Sequence, residues 1–148
     1  MSSPCVTATI AATPYTVTLT DGRGHQWLGD EPRESKGSDS GPTPTELLLS
    51  SLGACTAITL KMYAAHKGWP LEDVQVQLRF NPNGAPSGGA NEIERHVRVS
   101  GELTAQQYER LLSVANACPI HKALSGEIRI ATSLDSHAGC RAANVPPP

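Results

Sequence analysis

Two cysteines are the residues of this chain best placed to do chemistry. Cys118 precedes a proline at the start of a predicted short helix, where free backbone N–H groups and the helix dipole stabilise a thiolate. His121 and Lys122 follow within one turn and place a base and a cation near this sulfur. An unreactive capping cysteine fits the same local sequence equally well. Cys55 lies in the middle of a long predicted helix, where a cysteine is more often a small buried apolar residue.

If these two sulfurs meet in the folded chain, they form a peroxidatic and resolving pair. One thiolate attacks a peroxide oxygen and becomes a sulfenic acid. The second thiol then condenses with it to a disulfide, which an external reductant must reopen. A nucleophile inside a buried helix suits an apolar substrate and needs a nearby cation to lower its pKa. The other two cysteines, Cys5 and Cys140, are interpreted as incidental thiols.

The helix that carries Cys55 has clear start and stop signals. Thr43 and Glu46 form a capping box around a proline at the first helical position, and Gly68 provides a left-handed exit. No charged residue occurs from Leu47 to Leu60. A helix that is apolar on every face is buried, either in a core or against a partner chain. It is too short and too rich in Ser, Thr and Gly to favour a membrane span.

The remaining pattern predicts an α+β domain with the order βββ-α-ββ-αα-β. A capping box at Thr104–Gln107 starts a helix that ends near Asn116. We expect a single domain over residues 1–136 and a mobile C-terminal tail over residues 137–148. The strands are predicted over Val6–Ile10, Tyr15–Thr20, His25–Leu28, Val74–Phe80, Ile93–Leu103 and a last segment containing Ile128, Ile130 and Leu134.

Composition excludes several classes of function. The chain has 148 residues, a formal net charge of −2 and few aromatic side chains. This balance gives no electrostatic case for binding a nucleic acid or an anionic membrane surface. The N-terminus has neither a basic start nor a long apolar run, so we expect no signal peptide and a cytoplasmic location. Cysteines in that reducing compartment are thiols by default.

Two segments, Glu46–Ala64 and Ala117–Leu124, resemble the OsmC/Ohr family of osmotically inducible and organic-hydroperoxide-resistance proteins, and most of all its OsmC-like branch. The resemblance implies the OsmC-like fold, an intertwined homodimer with the long helices buried at its centre. It also implies reduction of small organic hydroperoxides in oxidative-stress defence. Cys55 would be the peroxidatic thiol and Cys118 the resolving thiol. A lipoyl protein or another dithiol would act as external reductant, with no bound cofactor or metal.

The chain departs from the family pattern around the first cysteine. In the hydroperoxidase branch, a glutamate ten residues before that cysteine orients an activating arginine. Here Thr45 occupies that position and Glu46 follows it. Arg23, the only arginine of the N-terminal strands, is the expected activating arginine, with Glu46 as its partner. A helix cap for Glu46 and a solvated turn for Arg23 are the competing interpretations. His121 stands where a small polar residue is common.

Three other functions stay open. The pairs Cys118/His121 and His137/Cys140 have a spacing compatible with a zinc site. Cys55 or Cys118 with His121 as base would suit a nucleophilic hydrolase, although no oxyanion-hole signal is visible. A dimeric module that binds a small molecule in an apolar cleft needs no reactive cysteine at all.

Overall fold

A computed structural model of the chain describes residues 3–134. Among these, residues 3–47 and 130–134 belong to one compact unit, and residues 48–129 form another. The expected tail over residues 137–148 lies outside the described part of the chain.

The first unit is an antiparallel three-stranded sheet. Its strands are β1 (Val6–Ile10), β2 (Val17–Asp21) and β3 (Gln26–Gly29), in the order β1-β2-β3. The predicted meander is therefore confirmed, with bounds that move by at most two residues. After β3, the buried Asp30 carboxylate accepts hydrogen bonds from the Thr16 hydroxyl and from two backbone N–H groups, which fixes the start of the loop that leads to the long helix.

The structure corrects one expectation about the cysteines. Cys5 was expected to be a free thiol but is disulfide-bonded. That expectation rested on a reducing compartment, whereas a disulfide depends on which cysteines approach each other in the fold. Cys140, expected to be a thiol as well, lies outside the described residues.

Helix α1 spans Pro44–Lys67 and confirms the predicted start and stop signals. The Thr43 N–H donates to Glu46 Oε2 over 2.8 Å, and the Glu46 N–H donates back to Thr43 Oγ1 over 3.2 Å. At the other end Gly68 has φ +66°, the left-handed conformation that favours glycine after a helix. Local side-chain chemistry thus fixes both ends of this element.

The second unit combines the remainder of α1 with a hairpin and two helices. Strands β4 (Asp73–Phe80) and β5 (Ile93–Ser100) pair antiparallel, with Val76 opposite Val97. Helix α2 spans Ala105–Ala115 and helix α3 spans Pro119–Ser125. A β-carbon at Gly53 would lie 3.0 Å from the Leu78 side chain, so this glycine allows α1 to pack closely against β4.

The core of this unit lies along one face of α1. Its members are apolar side chains from α1, the following loop and α2: Leu60, Ala64, Leu71, Leu111, Val114 and Ala115. The opposite face of α1 is open in the single chain, where Ile58 is 58% exposed and Met62 is 68% exposed. Burial on every face would thus require a partner chain. The expectation that α1 is too short and too polar to span a membrane is wrong by these criteria, because by length and composition alone its 24 residues could cross one, a property that α1 shares with core helices of soluble proteins.

The predicted last strand is wrong within the described residues. Residues 127–134 form no regular element, and Ile130 is 85% exposed. Alternation of apolar residues shows which side chains of a strand would share a face, but a strand also needs a neighbour that pairs with its backbone. No such neighbour pairs with this segment in the described part of the single chain.

The capping box of α2 gives a first testable prediction. Thr104 Oγ1 accepts from the Gln107 N–H over 3.2 Å, and Gln107 Oε1 accepts from the Thr104 N–H over 2.8 Å. We expect Thr104→Ala to lower the free energy of unfolding by about 1 kcal/mol in chemical denaturation. Gln106→Ala, at an exposed position of the same turn, is the control and should change it far less. Equal losses in the two variants would contradict the assigned cap.

Candidate active site

Cys118 is held at the start of α3 by the local sequence. It is the N-cap residue, has an extended backbone, and is followed by Pro119 at the first helical position. Its Sγ accepts the backbone N–H of His121 over 3.3 Å, as the cap of a helix should. The side chain has no exposed surface. The predicted position of Cys118 at the helix cap is confirmed, and its sulfur accepts a hydrogen bond from a helix N–H group.

The two predicted cysteines come together in this unit. Both are free thiols, and the Cys55 thiol lies near enough to Cys118 to lower the pKa of that thiol. The next residue on α1, the fully buried Thr56, has its Oγ1 3.8 Å from Cys118 Sγ and donates to the Leu52 carbonyl over 2.7 Å. Cys55 is partly exposed, whereas Cys118 is completely buried. A reagent from solvent therefore reaches Cys55 before it reaches Cys118.

A third element, β5, supplies a cation to this site. Arg95 donates from Nη1 to Thr56 Oγ1 over 3.0 Å and from Nη2 to Asn116 Oδ1 over 2.8 Å. Its Nη2 also lies 3.2 Å from His121 Nδ1. These acceptors are all neutral, and no carboxylate among residues 3–134 forms an ion pair with Arg95. The guanidinium thus connects the helix that carries Cys55 with the turn that carries Cys118.

The contact with Arg95 determines the tautomer of His121. An arginine side chain only donates hydrogen bonds, so Nδ1 of His121 must accept, and the ring proton lies on Nε2. The imidazole is therefore neutral in this arrangement. Its contact with the sulfur of Cys118 is made by the backbone N–H.

These contacts act on the ionisation of Cys118. Burial raises the pKa of its thiol. The N–H of His121, the Thr56 hydroxyl, the Cys55 thiol and the positive charge of Arg95 all lower it, and together they outweigh burial. The pKa of Cys118 consequently lies below its ordinary value, so a larger share of this sulfur is a thiolate at neutral pH. A thiolate is the form that attacks peroxides, sulfenic acids and disulfides.

The expected activating pair occupies the other compact unit. Arg23 lies in the turn after β2, its side chain is 82% exposed, and its Nε is 3.7 Å from Asp21 Oδ2. A hydrogen bond from the His25 ring is the main reason that the pKa of Asp21 falls to about 2. Glu46 forms the capping box of α1. Within the single chain both residues thus have local partners, and their action on Cys55 stays a prediction.

The described residues do not bring together a set of side chains that could bind zinc. Residues 3–134 contain no cluster of three or more His, Cys, Asp or Glu side chains that could hold a metal ion. His137 and Cys140, the second half of the predicted pattern, lie outside the described part of the chain. That hypothesis also stays a prediction.

Arg95 is the residue of this site that sequence reasoning missed, although a signal for it exists. Ile93, Val97 and Val99 share the inward face of β5, and the two-residue period places Arg95 on the same face. A cation at a core-facing position needs buried partners. Its position in the strand could therefore have identified it as a candidate site residue.

Comparison with known proteins supports the fold described above. The family model of OsmC-like proteins matches residues 37–133. The OsmC-like protein of Mycoplasma pneumoniae superposes with a TM-score of 0.67 at 19% identity, over 85% of this chain and 88% of its own. An organic hydroperoxide resistance protein OsmC from Legionella pneumophila gives 0.62 at 21% identity, covering 84% and 90%. The organic hydroperoxide resistance protein OhrB of Bacillus subtilis gives 0.59 at 20% identity, covering 84% and 91%.

No curated protein sequence matches the chain significantly. At these identities the structural neighbours establish the fold, whereas the family model covers most of the chain, including α1 with Cys55 and α3 with Cys118. The protein is a member of the OsmC-like family.

Proposed function

We propose that this protein is a cysteine-based thiol peroxidase that reduces organic hydroperoxides. The observation that carries the proposal is the pair of free thiols, Cys55 and Cys118, which lie near each other where Thr56 of α1 contacts Cys118 at the start of α3. Two structural neighbours are described as organic hydroperoxide resistance proteins, which supports the choice of substrate class. A role in oxidative-stress defence follows from that chemistry.

The first step occurs at Cys55, because this sulfur is the accessible one of the two. Its thiolate attacks the distal oxygen of the hydroperoxide, the O–O bond breaks, and the alkoxide leaves and is protonated to the alcohol. Cys55 becomes a sulfenic acid. The uncharged surface of α1 around it, including Ile58 one turn further on, favours an organic peroxide over a fully hydrated one.

The second step converts the sulfenic acid into a disulfide. The Cys118 sulfur attacks Cys55 Sγ, the S–O bond breaks, and the hydroxide leaves as water after it takes up a proton. An external dithiol, such as a lipoyl protein, then reduces the disulfide through a mixed disulfide and returns both thiols. All redox chemistry takes place on these two sulfurs, and the proposal includes no bound cofactor.

The proposal includes a homodimer that completes the site. The open face of α1 and the exposed segment after α3 are apolar surfaces that a second copy of the chain would cover. Arg23 and Glu46 are proposed as the pair that activates Cys55 in this assembly. The second copy of the chain would also exclude water from the entrance to Cys55. Because a thiolate is disfavoured without water, a nearby cation would then be needed to keep the Cys55 sulfur charged.

A stopped-flow titration of the reduced protein tests this function. Cumene hydroperoxide should oxidise two thiols per chain rapidly, hydrogen peroxide should act more slowly, and peptide mapping should find a Cys55–Cys118 disulfide. Cys55→Ser should abolish the rapid phase. Cys118→Ser should retain it but stop at a sulfenic acid on Cys55, which dimedone traps.

The two serine variants are matched controls for each other, because each leaves one thiol of the pair and the disulfide of Cys5 unchanged. Oxidation at the rate of an ordinary free cysteine, with no difference between the two peroxides, would overturn the peroxidase and favour the module that only binds a small molecule.

A further inference from the structure

We propose that Arg95 is a positioning residue that keeps Cys118 as the resting thiolate of the site, so that the resolving sulfur is ionised before any peroxide arrives. The inference extends the proposed peroxidase and, for its role in turnover, rests on it. The ionisation of Cys118 is a property of the reduced protein alone and can be measured without a substrate.

The geometry supports two routes from Arg95 to the sulfur. Its positive charge acts on Cys118 directly, and its Nη1–H occupies one lone pair of Thr56 Oγ1 at 3.0 Å. A hydroxyl that accepts such a bond becomes a stronger donor. The Thr56 proton now points to the Leu52 carbonyl and can turn toward Cys118 Sγ, 3.8 Å away, when this sulfur is charged.

The balance of charge in the cluster leads to the same conclusion. Among residues 3–134, the ionisable groups that face Cys118 are Cys55 on α1, Arg95 on β5 and His121 on α3. His121 is neutral because Nδ1 accepts from Arg95. With both cysteines protonated, the partly buried guanidinium has only neutral acceptors in the described part of the chain, and a thiolate at Cys118 supplies the missing negative charge.

The expected gain is in the second chemical step. A thiolate at Cys118 attacks the Cys55 sulfenic acid without first losing a proton, and the departing hydroxide takes its proton from solvent. Rapid closure of the disulfide limits the time during which a second peroxide could oxidise the sulfenic acid further. Arg95 therefore affects how much enzyme survives each turnover more than how fast the peroxide is attacked.

The test is a titration of Cys118 by its thiolate absorbance near 240 nm. The background is Cys55→Ser, and the spectrum of Cys55→Ser/Cys118→Ser is subtracted. We expect Arg95→Gln to raise the titration midpoint by about one pH unit, near the lower end of the shift that a nearby opposite charge causes. Arg95→Lys retains the positive charge but loses the two-pronged guanidinium that donates to Thr56 and Asn116. Its titration midpoint should therefore lie between those of the parent protein and Arg95→Gln.

Arg98→Gln is the matched control, since it removes an exposed arginine from the same strand and changes the net charge equally. Circular dichroism verifies that each variant is folded, and Arg95→Lys provides a second variant if Arg95→Gln is not. A midpoint that moves no more in Arg95→Gln than in Arg98→Gln would overturn the assignment.

A second measurement separates this inference from the proposed function. In the otherwise unmodified protein, Arg95→Gln should slow disulfide formation several-fold more than it slows sulfenic acid formation, so that dimedone traps more Cys55. If neither sulfur reacts rapidly with peroxide while the titration shifts as expected, the peroxidase proposal fails and the role of Arg95 stands. If turnover is rapid and the titration midpoint of Cys118 does not depend on Arg95, the peroxidase proposal stands and the role assigned to Arg95 fails.

Discussion

Thr56→Val is expected to destabilise the protein by about 1–3 kcal/mol, the cost of leaving buried polar groups without partners. Valine has nearly the same shape as threonine, so the change removes a hydroxyl and leaves the packing almost intact. Arg95 Nη1 then loses its acceptor, and Cys118 loses one of its hydrogen-bond partners. Because the hydroxyl lowers the pKa of Cys118, the variant should also have a higher Cys118 pKa.

The loss of stability should depend on pH in a defined direction. The pKa of Cys118 is lower in the folded protein than in the unfolded chain, where the thiol has its ordinary value. Its ionisation thus contributes stability that is fully present above the unfolded pKa and is lost as pH falls through the folded pKa. Thr56→Val raises the pKa of Cys118 in the folded protein toward its value in the unfolded chain. The loss of stability caused by this substitution should therefore increase from neutral to alkaline pH.

Chemical denaturation at several pH values measures both effects. Thr45→Val is the control, because it makes the same exchange at an exposed position of the same helix. A pH-independent difference between the two variants would show that Thr56 acts on packing and on Arg95 but not on the charge of Cys118.

Local chemistry explains why both ends of α1 and much of the second unit were predictable. The ends of α1 depend on Thr43, Glu46 and Gly68, and the cap of α3 depends on Cys118 itself, so each signal lies within one turn of the feature that it sets. The β4–β5 hairpin follows likewise from strict alternation along two neighbouring segments. The resemblance to a known family then paired the two cysteines, which no local rule does.

Features that depend on distant partners were not predictable in the same way. Arg95 contacts Thr56, Asn116 and His121, which are far from it in sequence and come together only when β5 packs against α1 and the turn before α3. The segment around Ile130 has the composition of a strand but no pairing neighbour in the described single chain. In both cases the deciding contact lies outside the local pattern.

Ile58→Asp is expected to dissociate the proposed homodimer into folded monomers. Ile58 is 58% exposed, so aspartate there remains hydrated in the single chain and should barely affect its stability. In a dimer that covers this face of α1, the same carboxylate would be buried without a partner. Each of the two chains contributes a penalty of about 4 kcal/mol, within the range for an uncompensated buried charge, so the dimer should weaken by at least roughly 1000-fold.

Sedimentation at a series of protein concentrations measures this change, with Leu112→Asp as the control, since Leu112 is 64% exposed on α2 and not on α1. Cys55 lies three residues before Ile58 and therefore on the same side of the helix, so the interface that Ile58→Asp disrupts would also cover the entrance to the peroxidatic sulfur. The variant should thus lose its preference for cumene hydroperoxide over hydrogen peroxide together with the dimer. A protein that sediments as a monomer before substitution would contradict the dimer, and the open face of α1 would then need another partner.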